Sequence, residues 1–446
     1  MSKLEDRRHA RDSRSRGGVK VLSRSHTPLV AAIDLGASKV SCFILKPEGV
    51  RRADRTVNVA GVGYVQSKGI RGGSIVSMEE AAQAVAQAVE RAEAMAGCSV
   101  SAVTVATAGG QLSSCRVGAQ VPLGSRPVND DDLTRAITAC VTQVKIPGRR
   151  PIHLLPIAWS VDGQKGIRDP RAMYGQMLGL ELLVVSMHES AFNTLGHCLE
   201  LAHLEFQGAI AAPFASALAA LEEDEMDLGA LCIDMGGGST SVAAFHNGSL
   251  IHVDSLPVGG GHVTSDIARG WSTSIAGAER IKTLHGSAIA SANEDREMIE
   301  APPRGDDRGA GPVVAPRSLL KGIIAPRVEE TLELVRERLK ASGVSIDRGS
   351  GIVLTGGASQ LAGVREVAVR VFDRPVRLGR PKCAPHLADA ASGPAFCAAS
   401  GVLQRAAFGP REAVSAKKLS GVRAPRPVDP NANAVARAAA WLRDNL

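Results

Sequence analysis

An α/β fold built from two related halves follows from three features of this 446-residue chain. Two segments, residues 29–45 and 230–245, each read as an apolar strand, a glycine-containing turn and a second β-branched strand, about 200 residues apart. Around them, amphipathic helical stretches alternate with apolar strands. A 44% hydrophobic content is ample for the cores of two to three domains of about 100–200 residues each.

Residues 1–27 are Arg/Ser-rich with almost no large apolar side chains and are expected to form a flexible basic tail. That tail is either a second electrostatic membrane contact or a solubilising extension. From Pro28 the texture changes, and the 29–45 segment has hairpin grammar rather than the strand-to-helix grammar of a dinucleotide site. Met78 to Met95 places apolar residues at three and four spacing, with Ser77 as N-cap and Gly97 just past the end, so an amphipathic helix is expected. Residues 100–109 follow as a strand. Residues 113–188 read as a small α/β insertion, with a capped helix over 128–144 and strands over 153–163 and 180–188. A helix is expected over 190–204, and the apolar stretch 208–221 precedes the second hairpin unit. Residues 292–316 are rich in Pro, Gly and charge and predict a mobile loop. The helix over 318–343 contains Pro326, which should kink it or divide it into two. Residues 351–372 read as strand, glycine turn and helix, and 408–432 as a basic, Pro-containing linker.

The net charge of +7 is not spread evenly. The N-terminal 27 residues carry +5 and residues 408–428 carry +4, leaving −2 for everything else. The globular part has no basic excess, and its 8 Phe, 3 Trp and 2 Tyr are too few and scattered for base stacking, so no nucleic-acid partner is expected. The eight cysteines show no CxxC and no zinc spacing, which predicts buried thiols in a reducing compartment. No apolar signal-peptide core and no 18-residue apolar run is visible, so a cytoplasmic body is expected.

Three glycine-rich turns carry the chemistry: Asp34 to Lys39, Asp234 to Thr240, and Leu354 to Ala358. Phosphate oxygens need close backbone N–H groups, and glycine permits both that approach and the conformations that form anion nests. An Asp at the end of the strand entering each of the first two turns can hold a divalent cation, directly or through water. One such hairpin is commonly only a tight turn; two Asp-led hairpins in two halves, with a third turn of LTGG type, are not.

On these motifs the chain resembles the actin-like ATP-binding fold shared by actins, sugar kinases and heat-shock chaperones, over residues 29–407. The segment around IDLGASKVSCFI is similar to the first phosphate motif, CIDMGGGSTSVAAF to the second, and IVLTGGASQLAGV to the adenosine motif. Within that fold, LPVGGGHVTSDIARG, AERIKTLHG, SVDGQKGIRDP, EMIEAP and PRVEETLELV resemble segments of the FtsA cell-division family, in the family's order.

The resemblance implies duplicated domains around a nucleotide cleft. Residues 28–112, 189–212 and 400–407 would form subdomain 1A, 113–188 an inserted subdomain 1C, and 213–399 subdomains 2A and 2B. ATP and Mg²⁺ are the implied ligands. Asp34 and Asp234 would face Mg²⁺, while Gly36, Ala37, Ser38 and Lys39 and Gly236, Gly237, Gly238 and Ser239 would surround the β- and γ-phosphates. Gly259 and Gly260 match a further phosphate-side turn, Glu279 and Lys282 the ribose and adenine edge, and Gly356 and Gly357 the adenine and ribose. Where related proteins carry a water-orienting Gln or Glu, this chain has Ala212 followed by Pro213. Alanine has no lone pair to orient water, so hydrolysis is expected to be slow. The insertion would serve self-association and recruit later division proteins. Lys321 and Arg327, as two exposed cations, would meet the acidic C-terminal peptide of FtsZ.

The C-terminal helix is argued from spacing. At about 100° per residue, Val435, Ala439, Leu442 and Leu446 share one apolar face, flanked by Trp441 and Arg443. That pattern suits an in-plane membrane anchor over residues 433–446, or else a helix packed back on the body. Its few large apolar residues need help from the basic linker on anionic inner-membrane lipids and from avidity in a polymer. The reading is a cytoplasmic, peripheral protein that tethers the division ring to the inner membrane. The alternatives are a phosphotransfer enzyme of the same fold, such as a sugar kinase or polyphosphate phosphatase, and an actin-like pilus-assembly adaptor.

Overall fold

The computed structural model describes residues 29–51, 56–290, 295–303, 312–344, 350–382 and 391–408. The N-terminal tail, the linker beyond Phe408 and the membrane-face residues Val435, Ala439, Trp441, Leu442, Arg443 and Leu446 lie outside the described residues.

β1 (Val30–Leu35) is apolar on both faces, with Ala31, Ala32 and Ile33 buried, as befits a central strand. It pairs antiparallel with β2 (Lys39–Arg51), which pairs with β3 (Thr56–Gln66). A short hairpin of β4 (Ile70–Arg71) and β5 (Ser74–Ile75) leads into α1 (Met78–Ala96). That helix buries its alanine- and valine-rich face and stops where Gly97 turns left-handed. Ser77 holds the N-cap position, but its side chain makes no capping bond. β6 (Ala102–Thr107) returns parallel to β1.

The next stretch is an antiparallel sheet with one helix. β7 (Ser113–Pro127), α2 (Asp130–Gln143), β8 (Arg149–Val161), β9 (Gln164–Ile167) and β10 (Tyr174–His188) give the strand order β7-β10-β8-β9. α2 covers this sheet and closes a separate core around Leu133, Trp159, Leu178 and Leu182. Its start is fixed by a reciprocal box: Asn129 accepts from the Asp132 amide and Asp132 from the Asn129 amide. The buried Asp132 carboxylate also accepts from Arg126 at 2.7 and 2.8 Å, and from Arg135.

The chain then re-enters the first half through α3 (Glu189–Leu201) and β11 (Glu205–Ala211), which lies parallel to β6. α4 (Ala212–Ala220) starts with Pro213 in its first turn, where a missing N–H costs nothing. α5 (Glu223–Leu228) follows.

The second half repeats the first. β12 (Ala230–Met235), β13 (Thr240–His246) and β14 (Ser249–Leu256) form an antiparallel meander. Next come α6 (Gly260–Gly270), α7 (Ile275–His285), β15 (Met298–Ala301), β16 (Val313–Pro316) and α8 (Arg317–Ala341). β17 (Gly351–Thr355), α9 (Val364–Phe372), β18 (Val376–Leu378) and α10 (Cys397–Phe408) complete the described chain. The order β3-β2-β1-β6-β11 in one half matches β14-β13-β12-β17-β18 in the other, with the same pairs parallel and the same pairs antiparallel. β14 also touches β7 through Asp254 and Ser113, so the inserted strands extend the second sheet to nine.

One expectation changes and another narrows. Part of the 292–316 stretch is ordered as the β15–β16 pair, because Ile299, Ala301 and Ala315 alternate inward and are buried against the second core. Of the two outcomes expected at Pro326, division does not occur: α8 runs through as one helix of 25 residues, anchored by buried Leu320, Ile324, Val328 and Leu332. Among the described residues no helix is long and apolar enough to cross a membrane. The seven described cysteines are all free, and five of them are buried.

Candidate functional site

The two hairpin turns are built alike. Asp34 stands opposite Ser41 and Asp234 opposite Ser241, and each turn is closed by the same backbone bond, Gly36 N–H to Lys39 O at 3.1 Å and Gly236 N–H to Ser239 O at 2.8 Å. The tips meet across a cleft. A Cβ on Gly238 would sit 2.6 Å from Ala37 Cβ, which has no rotamer to escape into, so glycine allows the approach. The first turn of α6 backs the second tip, where the Gly260 and Gly261 amides donate to the Gly236 and Gly237 carbonyls at 2.9 and 2.7 Å.

A cavity of about 640 Å³ opens between the halves. Every residue singled out for phosphate, metal, ribose or base lines it: Asp34, Gly36, Ala37, Ser38, Lys39, Asp234, Gly236, Gly237, Gly238, Ser239, Gly259, Gly260, Glu279, Lys282, Gly356 and Gly357. Gly356 has φ +83°, and a Cβ there would lie 2.3 Å from Asp234 Oδ1. That left-handed residue lets the chain leave β17 directly beside the carboxylate.

The charges in the cleft are strained by burial. Desolvation pushes the Asp34 pKa up; Lys39 opposes that shift and Asp234 adds to it. Asp234 is also raised by burial, against a hydrogen bond from Ser216 Oγ at 2.5 Å and the charge of Lys39. Burial lowers Lys39, opposed by both carboxylates. Its Nζ lies 3.0 Å from the centroid of the Phe396 ring and is a buried donor without a hydrogen-bond partner. Two half-buried carboxylates beside one unsatisfied buried ammonium, between two glycine turns, fit a polyanion carried with a cation. Asp34 and Asp234 are the groups available to that cation. Among the described residues no cluster of three or more His, Cys, Asp or Glu forms a complete protein cage.

Lys282 is drawn onto the protein while Glu279 stays exposed beside it. Lys282 Nζ donates to Thr264 Oγ1 at 2.8 Å and to Gly260 O at 3.2 Å, pairs with Glu279 at 2.7 Å, and is 15% exposed. The pair locks α7 onto the first turn of α6. Ala212 is buried at the cleft wall as the first residue of α4, and Glu205 lies at the opposite end of β11 from it.

Lys321 and Arg327 are not in this cavity, and the expected pair of exposed cations is corrected. Both are half-buried on α8, and Arg327 is ion-paired with Asp266 at 2.6 Å and with Glu330 at 2.5 Å.

Sequence reasoning missed Ser216, Phe396, Arg317 and Thr331. The last two line the cavity, while Ser216 and Phe396 act on Asp234 and Lys39 from behind it. A lone hydroxyl in the apolar run Ala-Pro-Phe-Ala-Ser-Ala gives no spacing signal.

Comparison with known proteins agrees in both parts of the chain. Residues 231–401 match the family model for cell division protein FtsA, and residues 109–186 match that for the SHS2 domain inserted in FtsA. The cell division protein FtsA of Agrobacterium fabrum (strain C58) is 42% identical over 86% of this chain and 88% of its own length. That of Escherichia coli (strain K12) is 33% identical over 84% and 89%. A solved PilM-PilN type IV pilus biogenesis complex superposes with a TM-score of 0.59 at 16% identity, covering 85% of this chain and 98% of the other, which shows a shared fold alone. The fold is thus actin-like, α/β and duplicated, with an SHS2 module inserted, and with relatives this similar over most of their length the chain belongs to the FtsA family of cell-division proteins.

Proposed function

We propose that the cavity binds Mg-ATP and that the chain is a nucleotide-dependent, self-associating tether holding the FtsZ ring on the cytoplasmic face of the inner membrane. The observation that carries the nucleotide reading is the convergence of two identically closed, Asp-ended hairpins and two further glycine turns on one cavity. In this reading Asp34 and Asp234 hold Mg²⁺ beside the phosphates, and Mg²⁺ neutralises phosphate charge and orients the chain of oxygens. The turns of Gly36, Ala37 and Ser38 and of Gly236, Gly237 and Gly238 surround the phosphates, with the Ala37, Ser38, Gly237 and Gly238 amides donating to phosphate oxygens, the Gly36 and Gly236 amides closing the turns, and Gly259 and Gly260 behind them. Lys39 supplies the compensating charge, Glu279 and Lys282 meet the ribose and adenine edge, and Gly356 and Gly357 lie under the base. Ala212 offers no lone pair to a water at the cleft wall, which supports binding with slow hydrolysis.

Closure of the two halves around the nucleotide would favour the filament-competent conformation by population shift. The inserted module would take part in self-association and in recruiting later division proteins. The C-terminal apolar face, Val435 to Leu446, and the basic linker would engage anionic lipids. The subdomain carrying Lys321 would take the FtsZ C-terminal peptide, with Arg327 contributing only if it leaves Asp266. Membership of the FtsA family favours this reading over a phosphotransfer enzyme or a pilus adaptor.

Calorimetry with Mg-ATP tests the site. The unmodified chain is expected to bind, and Asp234→Ala to weaken binding tenfold or more; equal affinity of the two would remove Asp234 from the site.

A further inference from the structure

His153 sits on β8, in the inserted module, and is fully buried. Its ring reaches out of the module to two other segments. The Ala211 amide donates to Nε2 at 3.0 Å, and Arg405 Nη1 lies 2.9 Å from Nδ1. Ala211 ends β11 and caps α4, whose first residue, Ala212, walls the cleft and whose Ser216 holds Asp234. Arg405 belongs to α10, the last described helix, and makes no ion pair among the described residues. Phe214 completes the junction, with the His153 ring edge-on at 5.2 Å and the Arg405 guanidinium 5.8 Å from its centroid.

The hydrogen-bond count does not close. A backbone amide and a guanidinium can only donate, while a neutral imidazole has one N–H and one acceptor nitrogen. Burial and the Arg405 charge hold the ring neutral, and an imidazolium would accept from neither group. Two donors therefore aim at a ring that can accept from one.

We propose that His153 is a positioning residue of the cleft, lent by the inserted module, and that Ala211 and Arg405 compete for its single acceptor nitrogen. With the proton on Nδ1, Nε2 holds the Ala211 amide and Arg405 must turn away. With the proton on Nε2, Nδ1 takes Arg405, and the buried Ala211 amide loses its partner, which loosens the first turn of α4. The state of α10, from which the chain runs on toward the C-terminal linker, is thereby felt at the wall of the cleft. The inference rests on the reading of that cleft as a nucleotide site.

Mg-ATP titrations of the full chain and three variants test it, with thermal midpoints recorded alongside. Arg405→Met removes the competing donor and is expected to tighten ATP binding by about 2- to 10-fold, the range of one net hydrogen bond. A damaged fold cannot produce that gain. A glutamine amide reaches the Nε2 position and an asparagine amide the Nδ1 position. His153→Gln is therefore expected to stay near the unmodified affinity, and His153→Asn to lose about 2- to 10-fold, at similar cost in thermal midpoint. ATP binding by the unmodified chain, with Arg405→Met flat or weaker or with Asn and Gln equally impaired, would overturn the inference and leave the nucleotide reading intact. No ATP binding by the unmodified chain would overturn the nucleotide reading, and this inference with it.

Discussion

Asp34 and Asp234 end strands in the same register, opposite Ser41 and Ser241, and their environments differ in one respect. Both feel the charge of Lys39, but only Asp234 has a buried hydroxyl donor, Ser216. Removing the hydroxyl leaves Asp234 free to rotate and more costly to ionise, so Ser216→Ala is expected to weaken Mg-ATP binding by about tenfold, since bonds to charged groups contribute about 1.5–3 kcal/mol. A titration showing unchanged affinity would contradict that role. At the cleft wall the Ala212 side chain carries no acceptor for a water, so ATP turnover below the kinase scale of about 1–100 s⁻¹ is expected in a steady-state assay. Turnover within that range would contradict it. At this scale the sequence was most legible where glycine and aspartate recur in a fixed pattern. It was least legible where one side chain acts through another: Ser216 and His153 are single polar residues in apolar runs, and Arg327 shows its commitment to Asp266 only when α6 and α8 pack.

Among the elements, α2 shows most clearly how local chemistry sets an end. Asp132 serves the capping box and two arginines at once, and the Arg126 hydrogen bonds, followed by those from Arg135 and the Asn129 amide, hold its carboxyl well below the usual range. The folded carboxyl releases its proton more readily than the unfolded one, so this stabilisation is full above about pH 4 and fades as pH falls through that range. Asp132→Asn is expected to destabilise the protein by on the order of 2 kcal/mol at pH 7, with a smaller gap near pH 3. Denaturation curves at the two pH values check the sign. Helices with clear periodicity, such as α1, were readable to within a residue. β15 and β16 were not, because two four-residue strands in a Pro- and charge-rich stretch show their pattern only once Ile299 and Ala315 find the second core. At Pro326 the sequence left kink and division open, and division fails for a related reason: burial of four apolar positions on α8 outweighs one missing backbone bond.

The whole molecule is two copies of one five-stranded pattern, and the inserted module belongs to neither alone. It leaves the first half in sequence, joins the sheet of the second through Asp254 and Ser113, and sends His153 back to the cleft wall. Its seam is strengthened by Ser114, which bonds both the amide and the carbonyl of Val253, while on the second-half side Arg338 holds Asp254 with two 2.7 Å bonds. The duplication was visible in the two hairpin units, whereas the shared nine-stranded sheet was not, since a single bridge between distant strands leaves no pattern in the chain. At this scale the central claim is that nucleotide binding, membrane attachment and engagement of FtsZ reside in one chain. The most direct measurement is co-sedimentation with anionic liposomes, comparing the full chain with one ending at Asn433, each with and without Mg-ATP and an FtsZ C-terminal peptide. The full chain is expected to pellet and to carry the peptide down, more so with ATP, while the shortened chain stays in the supernatant. Equal behaviour of the two chains, with the peptide left in solution, would contradict the tether.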